Sequence, residues 1–144
     1  MVAYSEVYIP YIERNQGQVF MDIRLQLPGV DEKWFIRQYM KSRIRKLLDH
    51  ANPKYAAMPP GELIARFIED ENGNEYPRGE QWGGFICEWA GRIYALYQWK
   101  YDVPSENLVD EFSTEDIECV YPALHQVAWD AALEKIQCRL GKRM

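Results

Sequence analysis

Trp82–Tyr101, WGGFICEWAGRIYALYQWKY, decides the fold. Large apolar residues recur at Trp82, Phe85, Ile86, Trp89, Ile93, Leu96 and Tyr97, which is helical spacing. Small residues Gly84, Cys87, Gly91 and Ala95 take much of the remaining circumference. A helix with bulk on one side and little on another packs on more than one face. The stretch predicts a central helix over 80–101, with Trp89 and Ile93 in the core and neighbours wrapped around it.

Downstream, Pro104-Ser105 begins a short helix through Phe112. Ser113 and Asp116 have the spacing of a capping box, with Asp in place of Glu. The helix they open is expected to break at Tyr121-Pro122. Trp129, Ala132, Leu133, Ile136 and Leu140 trace a last helix, closed by Gly141 and basic residues. Upstream, DENGNEYPRG over 70–79 is polar and rich in turn formers, and predicts a surface loop. Pro59-Pro60-Gly61 opens a short helix carrying Leu63, Ile64, Phe67 and Ile68. Asp31 is a good N-cap for a helix to about Ala51, where Asn52-Pro53 stops it. Pro10 suits the first turn of an opening helix, whose Val19, Phe20, Ile23 and Leu27 repeat at helical spacing until Pro28-Gly29. A strand has room only at Ile9–Ile12 or Val19–Leu27. The reading is all-α: one domain over 1–144, an orthogonal bundle of six or seven helices around the Trp-rich helix.

Composition narrows the class. A chain of 144 residues with 47% hydrophobic residues builds a substantial core. Net charge is −5, which argues against coating nucleic acid. No run reaches the ~18 apolar residues of a bilayer span, and MVAYSEVYIPYIE lacks the basic-then-apolar pattern of a signal peptide. Cytoplasmic residence is the default expectation. Cys87, Cys119 and Cys138 are read as reduced, buried thiols.

Charge is segregated. Lys33–Lys46 holds six bases and no acid, and Lys33, Arg37, Lys41 and Arg45 step by four into one stripe. Asp102–Glu118 holds seven acids and no base. The stripe either docks an acidic protein or a phosphate backbone, faces the acids inside the same fold, or is a solvated face. Trp99 and Tyr101, at the end of the central helix, are expected to be partly exposed.

Catalytic and ligand signatures are missing. His125 has no HxxxH, HExxH or CxxC partner and is read as structural, not a metal ligand. His50 reads as a helix C-cap. Glu88 and Arg92 are four apart on the central helix and read as an intrahelical pair, although a buried Glu88 carboxylate could serve as acid or base. No phosphate-binding glycine motif occurs. No metal or cofactor is expected.

Two runs carry a resemblance. Asn52-Pro-Lys-Tyr55 with Pro60-Gly-Glu-Leu63 resembles a GNPKY…GxSGxEL segment. Trp89–Trp99 followed by Ile117 and Tyr121-Pro-Ala-Leu-His125 resembles WxGxxLAxYQW…I…YPxLHE. Both occur, in this order, in a family of small bacterial proteins without an assigned activity, and the similarity spans about Glu6 to Ile136. The chain departs at Ala51, where the pattern has Gly, and at Gln126, where it has Glu. The resemblance implies an accessory protein of a bacterial cytosol and carries over no site residue. The expected function is a non-catalytic helical module that binds a protein, in an accessory or antitoxin- or immunity-like role. Its contact residues would be Lys33, Arg37, Lys41, Arg45, Trp99 and Tyr101. The alternatives are a small enzyme using Glu88 or His125, and a nucleic-acid binder using the basic helix 33–46.

Overall fold

The computed structural model describes residues 6–50, 53–70, 75–79 and 81–141. The chain is all-α. After a 3-10 turn at Glu6–Tyr8, nine helices follow among the described residues: α1 (Ile9–Gln26), α2 (Glu32–Met40), α3 (Arg43–Asp49), α4 (Pro53–Ala56), α5 (Pro60–Asp70), α6 (Gly84–Tyr101), α7 (Ser105–Glu111), α8 (Thr114–Leu124) and α9 (Trp129–Gly141). Both segments with room for a strand lie in α1, except Leu27, which is its C-cap.

The long helix α6 is the centre. Trp89 and Ile93 lie in the core as expected. Trp89 stacks on Trp129 at 6.3 Å and meets the edge of Tyr121 at 5.6 Å, which ties α6 to α8 and α9. The small face receives α1, running antiparallel. A Cβ built on Gly91 would meet the Gln16 carbonyl oxygen at 2.6 Å and Gly17 Cα at 2.7 Å. The two backbones touch there, and Gly91 and Gly17 are what let them. Toward the other end Gly84 faces Met21 and Arg24. Gly83 precedes α6 with φ +121, a conformation that L side chains rarely adopt.

Several expectations need correcting. The helix capped by Asp31 does not reach Ala51; it breaks at Lys41-Ser42 into α2 and α3. The Ser42 hydroxyl donates to the Tyr39 carbonyl at 2.7 Å and accepts from the Arg45 N–H at 3.2 Å, so it ends one helix and caps the next. Pro122 does not break α8 but sits inside its last turn, and the helix closes at His125. The connection through Met58 contains α4, so the count exceeds six or seven. Phe85, assigned to the buried face, is 78% exposed because α6 starts at Gly84 and leaves it in an uncovered first turn. Cys87 is buried, but Cys119 and Cys138 are exposed; all three are free. Of the expected loop 70–79, residues 71–74 lie outside the described residues, as do 51–52, 80 and 142–144. Residues 75–79 strap the α1–α2 connection, with Asp31 N–H donating to the Pro77 carbonyl and Gly79 N–H to that of Gly29.

Candidate functional site

The expected stripe does not survive folding as one surface. Lys33 pairs with Glu118, Arg37 lies 3.8 Å from Glu115, and Lys41 lies 2.8 Å from Asp110. Lys46 takes the fourth place, 3.2 Å from Glu106. The basic run of α2–α3 and the acidic run of α7–α8 march in opposite directions and pair rung by rung. Arg37 also donates to the Thr114 hydroxyl at 3.3 Å. Burial works against ionisation of Glu115, but backbone and Thr114 hydrogen bonds and the nearby charges of Arg37 and Lys33 hold its pKa below the usual value. Of the ways to read the segregated charges, the internal pairing is the one seen.

Each rung is half exposed, so each contributes only ~0.2–1 kcal/mol. Arg37→Glu with Lys41→Glu replaces two attractions by two repulsions. The double variant is expected to lose about 1–2 kcal/mol at low salt, and most of that deficit should vanish near 1 M salt, where the Debye length is roughly 3 Å. Melting by circular dichroism at both salts reads this; an unchanged midpoint at low salt would show that the ladder contributes nothing.

Arg45 is absent from the ladder because the break at Ser42 re-aims α3. It is fully buried. Its Nε donates to Gln16 Oε1 at 2.5 Å, Nη1 to Asp49 Oδ1 at 2.7 Å and Nη2 to Gln98 Oε1 at 2.5 Å. Gln98 Nε2 donates to Asp49 Oδ1 at 2.6 Å, and Gln16 Nε2 to the Gly91 carbonyl at 2.8 Å. Asp49 Oδ2 accepts from both the N–H and the hydroxyl of Ser105 at 3.1 Å. One guanidinium thus joins α1, α3 and α6, and through Asp49 it reaches α7.

A second buried carboxylate, Glu32, has the same design. Its Oε1 accepts from the N–H groups of Trp82 at 2.7 Å and Gly83 at 3.2 Å, and its Oε2 lies 3.1 Å from Arg24. Neither Gly83 nor Pro104, the N-cap residues of α6 and α7, supplies a side-chain cap. Glu32 and Asp49 serve those helix starts from elsewhere in the chain, where negative charge is favoured. Burial and the Glu32 charge push the pKa of the neighbouring Cys87 thiol far up, leaving it protonated and inert. Sequence reasoning missed both carboxylates, because an acid in or after a helix carries no sign of a distant helix end it will meet.

The remaining candidates are dispersed. Arg92 lies 3.9 Å from Glu13 on α1, rather than pairing along its own helix with Glu88. His50 is the C-cap of α3. His125 is exposed at the end of α8, with Nδ1 2.6 Å from the Tyr121 carbonyl and its ring stacked on Tyr121. Trp99 is half buried against a small cluster of Ile12, Leu48, Ala56 and Ala95. Tyr101 is half buried and tilts against Tyr97 at 4.6 Å. No cluster of three His, Cys, Asp or Glu placed to hold a metal occurs among the described residues. None of their helices is long and apolar enough to cross a membrane.

Five large hydrophobic side chains are exposed among the described residues: Val7, Tyr11, Leu25, Phe85 and Val127. Leu25 is 76% exposed in the last turn of α1, and Phe85 is exposed in the first turn of α6. Between their helices, the Arg24 guanidinium lies 3.8 Å from the Cβ position of Gly84. No protein-family model, no curated protein and no solved structure matches the chain.

Proposed function

We propose that the chain is a non-catalytic helical module that docks a partner protein through Leu25 and Phe85, where α1 ends and α6 begins. The observation that carries the reading is Phe85: a large aromatic ring left in water at the start of a helix whose following turns are buried. An exposed aromatic ring is the kind of anchor that the centre of a protein interface uses. The basic stripe loses its claim as the docking face, since Lys33, Arg37 and Lys41 face carboxylates of the same chain and Arg45 is inside. The nucleic-acid reading weakens for the same reason. The sequence resemblance favours an accessory protein of a bacterial cytosol, and an antitoxin- or immunity-like role is one version of such a module.

The test places a photo-crosslinking amino acid at Phe85 and, as a control, at exposed Lys100, and irradiates the native cell. One discrete adduct is expected from position 85 and none from position 100. In parallel, Leu25→Ser with Phe85→Ser should abolish co-purification of that partner without lowering the melting temperature. Identical adducts from both positions, or none, would remove this reading.

A further inference from the structure

A groove of about 460 Å3 opens where α6 and α7 finish, against the last described turn of α9. Tyr97 and Tyr101, from the last turns of α6, line it with Val103 just beyond. Glu111, the last residue of α7, and Gln137, Leu140 and Gly141 of α9 complete the wall. The volume lies within the range of small-molecule sites, ~300–1,000 Å3.

Among the described residues lining the groove, Glu111 is the only charged side chain. The 18-residue α6 ends here. Helix C-termini carry partial negative charge from their unpaired carbonyls. The faces of the two tyrosine rings, 4.6 Å apart and tilted by 48°, are negative as well. The Tyr101 ring already draws one cation of the chain itself, the Lys100 ammonium at 5.7 Å. Burial, with Tyr101 and Glu111 close by, raises the Tyr97 pKa to about 12, so the phenol stays neutral at physiological pH. Its hydroxyl donates to Gln137 Oε1 at 2.5 Å, which fixes the ring and the amide in place. Val103 and Leu140 add apolar wall.

We propose that this groove binds a small organic cation, an ammonium group on an apolar body. The ammonium sits between the Glu111 carboxylate and the tyrosine rings, and the apolar body lies against Val103 and Leu140. A neutral molecule of the same shape forgoes the carboxylate, the ring quadrupoles and the end of α6 together. An anion meets all three as repulsion. The site is separate from the Leu25–Phe85 face and stands or falls independently of it.

The probe is 2-phenylethylammonium chloride, with 2-phenylethanol as its uncharged counterpart and sodium chloride at matched ionic strength. Titration is followed by nuclear magnetic resonance of the whole chain. Saturable shifts are expected at Tyr97, Tyr101 and Gln137, with Kd near or below roughly 1 mM. 2-Phenylethanol should bind about tenfold more weakly. Glu111→Gln, at an exposed position, should raise the Kd for the ammonium about tenfold and leave that for the alcohol unchanged. Tyr101→Leu keeps the wall apolar without the ring, and should also weaken the ammonium selectively. Melting of both variants confirms that they fold. Equal affinity for ammonium and alcohol, an effect of Glu111→Gln on both alike, or shifts that never saturate up to roughly 10 mM would each overturn the proposal.

Discussion

Arg45→Ala is expected to lose about 3–5 kcal/mol of folding stability, the usual cost of removing one partner of a buried ion pair. Three physical losses combine. The carboxylate of Asp49, 6% exposed, loses its countercharge. Gln16 Oε1 and Gln98 Oε1 lose their donor at a depth where water does not replace it. The aliphatic stem leaves a void among α1, α3 and α6. Arg45→Lys separates the terms. It keeps the charge but has no planar fork to serve Gln16, Asp49 and Gln98 at once, so it should recover only part of the loss. Urea denaturation at pH 7 measures both variants. A loss under about 1 kcal/mol for Arg45→Ala would place the side chain in the range of ordinary surface changes and contradict its burial.

Gly91→Ala is the second large effect. In an ordinary helix this change stabilises by roughly 0.5–1 kcal/mol. Here the new methyl would lie 2.6–2.7 Å from the Gln16 carbonyl and Gly17 Cα, where ordinary contact begins at 3.4 Å. The obstacle is backbone rather than a side chain that swings away, so α1 and α6 must separate. Separation also stretches the Gln16–Gly91 hydrogen bond, and through Gln16 it disturbs Arg45. Overpacking costs ~1–3 kcal/mol, occasionally more, and a net loss of about 3 kcal/mol is expected. Gly61→Ala in α5 is the control: nothing lies within 4 Å of its Cβ position, so it should be neutral or slightly stabilising. If both glycine variants melt alike, the helices do not cross as closely as described.

Much of the fold was legible because it follows from local rules. The 3.6-residue recurrence of Trp89 and Ile93 located the central helix and its core face. Asp31 caps α2 by accepting from the Trp34 N–H, and Ser113 with Asp116 forms the full capping box of α8. These signals act within four residues, so the chain states them directly. Where local chemistry was misread, the competing signal was equally local but weaker in appearance: Ser42 inside an apolar-periodic run, and Pro122 tolerated in a last turn.

The candidate site was less legible. The step of four from Lys33 to Arg45 described a straight helix, and the stripe exists only if that helix is straight. One serine bends it, sending Arg45 inward and Lys46 into its place.

The sequence by itself determined most of the helices, the core positions Trp89 and Ile93 of α6 and the two blocks of opposite charge, because periodicity, capping and composition are properties of neighbouring residues. Only the tertiary structure decided that the blocks pair with each other and that Glu32 and Asp49 serve helix starts 50 or more positions away. The same holds for Phe85, which stays in water while Trp89, one turn on, does not. Those outcomes depend on which elements meet. A charge or a ring has the same local signature whether its partner across the fold is a carboxylate, a helix end or solvent.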